Sequence, residues 1–163
     1  MPDVAGLRPT PDRVRETLFN WLQPIIDGAR CLDLYAGTGV LGLEAVSRGA
    51  ASAVLVEQDT SLFAQIRRNI EILDTGDRVQ VEHAEAMKWL RHNRQKFDLV
   101  FLDPPFALGL VENSLMLLQE QGCLQPHVMI YVESGPGLQL PDWLRVVRQG
   151  KAGKVKFLLV ELL

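Results

Sequence analysis

Cysteine and histidine are scarce in this chain of 163 residues, with two of the first and three of the second. Cys31 falls in a strand-like segment and Cys123 in a loop, and neither has a histidine at ligand spacing, which argues against a disulfide framework and a zinc site. His83, His92 and His127 are scattered, so each reads as an ordinary surface or core residue and no metal is expected. Long apolar runs are missing as well. None approaches the ~20 residues a membrane helix needs, and the opening MPDVAGLRPTPDR lacks the apolar stretch of a signal peptide. A soluble, cytoplasmic protein is the expectation. A net charge of −3 removes any global basic signal for nucleic acid.

What is present is enough for one domain, residues 1–163, with 47% hydrophobic residues to build a core. The charge is unevenly spread. Arg145, Arg148, Lys151, Lys154 and Lys156 follow one another with no acid between them, and Arg8, Arg13 and Arg15 cluster near the start. Such runs suit phosphate contacts or an ordinary solvated face, and charge alone leaves both readings open.

Strand-like and helix-like segments alternate. Thr10 caps a helix whose first position is Pro11, and Val14, Leu18, Leu22 and Ile25 recur at helical spacing. Cys31–Tyr35 reads as a strand, Val40–Arg48 as a helix and Ala53–Glu57 as a strand. Leu62, Phe63, Ile66, Ile70 and Leu73 form one helical face. Val79–Glu82 is a strand, Ala84–Asn93 a helix, Phe97–Leu102 a strand, and Val111, Leu115 and Leu118 mark another helix. Val128–Glu133 is a fifth strand. The tail, Trp143–Gln149 and Val155–Leu162 separated by GKAGK, reads as a hairpin closing the sheet. This order demands an α/β fold, a largely parallel sheet with helices on both faces, because each crossover is right-handed and must cover the sheet. Ligands on such sheets lie at the carboxyl ends of strands, which singles out residues 33–42, 57–59 and 103–106.

In the first corner, DLYAGTGVLG, Gly37, Gly39 and Gly42 form G-x-G-x-x-G between strand and helix, with Glu57 twenty positions after Gly37. Glycines let backbone approach a ligand, the helix start favours an anionic group, and the acid accepts from ribose hydroxyls. The pattern fits NAD(P) or S-adenosylmethionine (SAM). Asp33 favours SAM, since a carboxylate there can meet the ammonium of methionine, and the chain has no room for the substrate domain of a typical dehydrogenase. Nothing in the sequence offers a hydride-transfer partner.

The third corner, FLDPPF, supplies the acceptor side. An exocyclic amine is a poor nucleophile while its lone pair is delocalised into its base. Acceptors that hold its two N–H bonds favour a pyramidal, reactive nitrogen. Asp103 and the Pro104 carbonyl, fixed by Pro105, fit that role, and Phe106 can stack on the base. The plain alternative is an Asp-Pro turn with Phe106 in the core. Among enzymes, adenine N6 or a glutamine side chain would suit the same corner. A SAM-binding module inactive without an N-terminal segment is a further class.

The combination LDLYAGTGVLGLEAVSRGA, VLVEQD and FDLVFLDPPF, preceded by GLRPTPDRVRETLFNWL, resembles the RsmD-type 16S rRNA guanine-N2 methyltransferases, a branch of the class I SAM-dependent enzymes, over nearly the whole chain. The first three stretches are those of the superfamily, and GLRPTPDRVRETLFNWL narrows the likeness to this branch. The resemblance implies a Rossmann-like class I methyltransferase fold with seven strands, SAM as cofactor and a guanine of small-subunit ribosomal RNA as acceptor, offered by an assembling 30S particle. By position it assigns Gly37 and Gly39 to the methionine end of SAM with Asp33 near them, Glu57 to its ribose, and Tyr35, Glu85 and Ala86 to the cofactor site. Asp103, Pro104, Pro105 and Phe106 are assigned to the target amine, with Asp103 also beside the cofactor. Arg8, Thr10 and Arg13 are assigned to a segment folding over both, and the basic run Arg145, Arg148, Lys151 and Lys154 is the candidate RNA contact. Where the family commonly has Asp-Ala or Asn-Ala near adenine, this chain has Glu85-Ala86. It also begins almost at GLRPT, where the family usually carries a basic β-hairpin first. A monomer is expected.

Overall fold

The structure, a computed structural model, describes residues 11–105 and 109–163. Its centre is a seven-stranded sheet in the order β3-β2-β1-β4-β5-β7-β6. The strands are β1 (Arg30–Asp33), β2 (Ser52–Glu57), β3 (Val79–His83), β4 (Phe97–Leu102), β5 (Leu124–Ser134), β6 (Leu144–Ala152) and β7 (Val155–Leu162). The first five run parallel, and β7 pairs antiparallel with both β5 and β6. The expected α/β architecture with its C-terminal antiparallel hairpin is borne out.

Parallel strands covered on both faces should be largely apolar, and in β4 Phe97 and Leu99–Leu102 are all buried, with Asp98 its one polar residue. On one face Cys31, Leu55, Leu99, Phe101 and Tyr131 meet α1 (Asp12–Ile26), α2 (Val40–Ser47) and α3 (Thr60–Leu73). On the other, Leu32, Val54, Val100, Ile130 and Val160 meet α4 (Ala86–His92) and α5 (Leu110–Glu120). Among the described residues no helix is long and apolar enough to cross a membrane.

Several boundaries differ from the sequence expectation. Pro11 is the N-cap of α1, with extended ψ 147, and Asp12 is its first helical residue, while Thr10 lies outside the described residues. The buried residues of α1 are Val14, Leu18, Leu22 and Ile26 at i+4 spacing with Phe19 beside them, and Ile25 is 40% exposed. On α3 only Leu62 and Ile66 are buried, and Leu73, at its far end, is exposed. The final hairpin is tighter than a five-residue GKAGK loop. Ala152 pairs with Val155, so only Gly153 and Lys154 turn, and Gly153 takes φ +61.

The strand order reverses between β1 and β4, which leave in opposite directions across the sheet. The crevice at their carboxyl ends is where a ligand is expected.

Candidate active site

The loop from β1 to α2 is shaped by glycines that other residues could not replace. Gly37 and Gly39 have φ +60 and +81. A Cβ on Gly42 would sit 2.6 Å from Leu55 Cδ1 in the buried sheet, so Gly42 lets α2 lie against β2. Two carboxylates then hold this backbone. Glu57, at the end of β2, accepts from the Gly37 N–H (2.8 Å) with one oxygen and from the Asp59 N–H (2.8 Å) with the other. Asp33, at the end of β1, accepts from the Gly42 N–H at 3.1 Å, satisfying an otherwise orphaned donor in the first turn of α2. Asp33 is 2% exposed. Burial pushes its carboxyl up to about 7, the Gly42 hydrogen bond opposes this, and the nearby Glu57 adds to it.

Asp59 in turn caps α3 by accepting from the Leu62 N–H (2.9 Å). Glu85 caps α4 in the same way, accepting from the Lys88 N–H at 2.8 Å, and Ala86 is buried at the first position of that helix. The carboxylate assigned to adenine is thus also the helix cap. Tyr35 reaches from the end of β1 to α5, where its hydroxyl lies 2.7 Å from Ser114 Oγ. Ser114 donates to the Leu110 carbonyl at 2.6 Å, which leaves Tyr35 as donor to Ser114.

On the acceptor side Asp103 follows β4 directly and is partly buried, Pro104 is buried and Pro105 exposed. Phe106 lies outside the described residues, as do Arg8 and Thr10. Arg13 is exposed on the first turn of α1. Its neighbour Arg15 is engaged by Asp12 (3.1 Å) and Glu44 (3.0 Å).

Sequence reasoning missed one element of this crevice. Tyr131 and Glu133 end β5 beside the Asp103 corner. Tyr131 is fully buried, donates to Glu133 Oε2 at 2.9 Å, and has its pKa raised by burial first, then by Glu133 and Asp103. The signal was available: an acid closes β5 in YVES as one closes β1 in CLD and β2 in VLVE. Side chains alternate along strands, and Asp33, Glu57 and Glu133 each follow by two a residue packed in the α1–α3 face, namely Cys31, Leu55 and Tyr131. Asp103 follows Phe101 of that face by the same interval. Four carboxylates therefore gather at one edge and on one face of the sheet.

The scattered histidines stay apart. His83 stacks on Phe63 (4.7 Å between ring centroids) and His127 lies 2.7 Å from Asp98 at the opposite edge. Among the described residues no group of three potential ligands could hold a metal ion.

Comparison with known proteins gives this geometry its relatives. The family described as Conserved hypothetical protein 95 matches residues 1–161. The chain is 45% identical to Ribosomal RNA small subunit methyltransferase D of Escherichia coli strain K12, covering 99% of this chain and 82% of that protein. It is 39% identical to the Haemophilus influenzae protein of the same name, over 96% and 83% respectively. A solved Escherichia coli structure described as that of a methyltransferase superposes with a TM-score of 0.90 at 42% identity, covering 96% of this chain and 88% of that one. The glycine loop with its two bracing acids, the Asp-Pro-Pro corner one strand away and these matches over the full fold agree, and the chain belongs to the Conserved hypothetical protein 95 family, the RsmD-type ribosomal RNA small subunit methyltransferases.

Proposed function

We infer that this protein transfers a methyl group from SAM to the exocyclic N2 amine of a guanine in small-subunit ribosomal RNA. One observation carries the choice of cofactor. Asp33, Glu57, Asp103 and Glu133 gather four acidic side chains at the crevice, and Glu57 takes the Gly37 N–H that a pyrophosphate would need. That donor set opposes a dinucleotide phosphate and suits a ligand carrying a sulfonium and an ammonium. When bound, SAM supplies a methyl group made electrophilic by its cationic sulfur.

The chain's own residues do the rest. The loop of Gly37 and Gly39 admits the methionine end, with Asp33 and Tyr35 behind it, and Asp33 gives its ammonium a buried counter-charge. Glu57 keeps lone pairs for the ribose hydroxyls while it braces Gly37. Glu85 and Ala86, at the start of α4, border the adenine. Asp103 and the Pro104 carbonyl accept the two N–H bonds of the guanine amine and orient its lone pair along the line of transfer, and Pro105 fixes the carbonyl. Phe106 stacks on the base. With SAM bound, the amine lone pair that these residues orient would take the methyl group, the C–S bonding pair staying on sulfur. The surplus amine proton leaves to Asp103, which passes it to water. Arg8, Thr10 and Arg13 are the proposed contacts over cofactor and substrate, and Arg145, Arg148, Lys151 and Lys154 are the candidate RNA contacts. The acceptor is an assembling 30S particle in the cytoplasm, and the enzyme acts as a monomer.

Incubation with labelled SAM and small-subunit particles lacking the modification, followed by digestion to nucleosides, tests this reading. N2-methylguanosine is the expected product. Label in N6-methyladenosine, in protein or in nothing would overturn it.

A further inference from the structure

We propose that the β6–β7 hairpin is an RNA-backbone clamp built beside the catalytic crevice, with Lys151, Lys154 and Lys156 as its phosphate ligands. This rests on the RNA substrate read above, and it separates residues that the sequence presents as one uniform basic run.

Topology makes the separation. Because β7 runs antiparallel to β5, Ser134 at the carboxyl end of β5 faces Lys156, and Lys156 faces Lys151 on β6. Lys154 is in the two-residue turn beyond them. All three lysines are exposed. They stand at the same edge of the sheet as Asp103, since Leu102 pairs with Val132 two residues before Ser134. At the usual spacing of ~4.8 Å between strands, the backbones of β7 and β6 lie about 10 and 14 Å from β4. That is within reach of nucleotides flanking a base held at Asp103. Arg145 is elsewhere. It faces Glu161, bonds it at 3.0 Å, and lies at the level of Met129 in the amino half of the sheet.

Two further features mark the hairpin tip as a built anion site. Lys151 and Lys156 are directly opposed across an antiparallel pair, where like charges repel and destabilise the pairing. A phosphate between them turns this cost into a contact. The tip is also held firmly. Phe157 lies over Gly150, leaving no room for a Cβ there (2.3 Å to Cζ), and Phe157 stacks on Trp21 of α1 at 5.5 Å. The lysines are thereby carried on a hairpin whose register and tilt are set by the core.

The test pairs K151S/K154S with a single-charge control, R94S, whose exposed side chain precedes β4 at the opposite edge of the sheet. For K151S/K154S, binding of a small-subunit rRNA fragment, read by fluorescence anisotropy, is expected to weaken about tenfold at physiological salt. The slope of log Kd against log salt should flatten by about 1.5–2, and R94S should bind as wild type does. KM for the particle should rise in parallel while kcat and SAM affinity hold. A K156S variant should melt no lower than wild type, because it removes the like-charge pair. Unchanged RNA affinity and salt slope in K151S/K154S, or equal weakening in R94S, would overturn the clamp. If the wild type binds RNA through the hairpin but methylates no ribosomal substrate, the clamp stands and the assigned reaction fails.

Discussion

The two halves of the crevice are built differently. On the donor side each carboxylate is committed to backbone: Asp33 to Gly42, Glu57 to Gly37 and Asp59, Glu85 to Lys88. Those bonds fix the start of α2, the glycine loop and the start of α4 without a ligand, so a small cofactor enters a pre-organised site. On the proposed acceptor side the described elements are a strand end, two prolines and an edge hairpin with three exposed lysines near its tip. For the proposed reaction, that half offers RNA backbone stiffness and positive charge, and the other offers SAM hydrogen-bonded geometry.

The most severe way to break this division is at Asp103. Asp103→Ala should cost on the order of 10²–10⁴-fold in kcat with SAM affinity kept, as single-turnover kinetics and calorimetry would read. Loss of SAM binding to the same degree would place Asp103 on the donor side and collapse the comparison. Next comes Glu57→Gln. An amide has one carbonyl oxygen for two backbone donors, so one N–H of Gly37 or Asp59 faces an NH₂ group. Loss of a charge-assisted bond of about 1.5–3 kcal/mol predicts a roughly 10- to 100-fold weaker SAM Kd and a lower melting temperature, with the rate at saturating SAM less affected.

Legibility in the sequence follows the same division. Alternating apolar segments and the G-x-G-x-x-G loop with Glu57 rest on local periodicity and fixed spacing, so the strands and the turn from β1 to α2 were readable. Asp33 was read as a ligand for the cofactor, but not as the acceptor for Gly42, because that bond depends on how closely α2 approaches β1. Tyr131 and Glu133 are legible in YVES only as a third acid closing a strand, and that pattern alone does not bring them beside Asp103. Register does, by placing Leu102 opposite Val132. The basic run was visible as composition. Only antiparallel pairing puts Lys151 and Lys156 at the sheet edge that holds Asp103 and Arg145 in the distal half beside Glu161.

Asp33 sharpens the comparison through pH. Its carboxyl titrates near 7 in the fold against 3.8 when unfolded. Between those values the folded chain holds the extra proton, so the stability contributed by protonated Asp33 is full below pH 3.8 and is lost as pH rises through about 7. The ligand-free protein should therefore lose melting temperature from pH 5 to pH 8. Asp33→Asn, which keeps an oxygen for the Gly42 N–H, should flatten that decline and melt higher than wild type at pH 8. The same variant should bind SAM about tenfold more weakly there, since the ammonium loses its counter-charge. A variant both less stable and unaltered in SAM affinity at pH 8 would remove Asp33 from the cofactor site.

The smallest expected effect is at Tyr35, which ties the end of β1 to α5. Tyr35→Phe deletes the donor to Ser114 but leaves Ser114 donating to Leu110, so no buried hydroxyl loses its only partner. The cost is then that of one ordinary hydrogen bond, about 0.5–1.5 kcal/mol, seen as a modest fall in melting temperature. Because the bracing bonds of Asp33, Glu57 and Glu85 to the loop and helix starts remain, SAM affinity should fall by less than about threefold, or roughly 0.6 kcal/mol. A loss of tenfold or more would mean that the donor side depends on α5 for its shape. The cofactor site and the acceptor side would then be coupled through the Tyr35–Ser114 bond, where independent bracing keeps them separate.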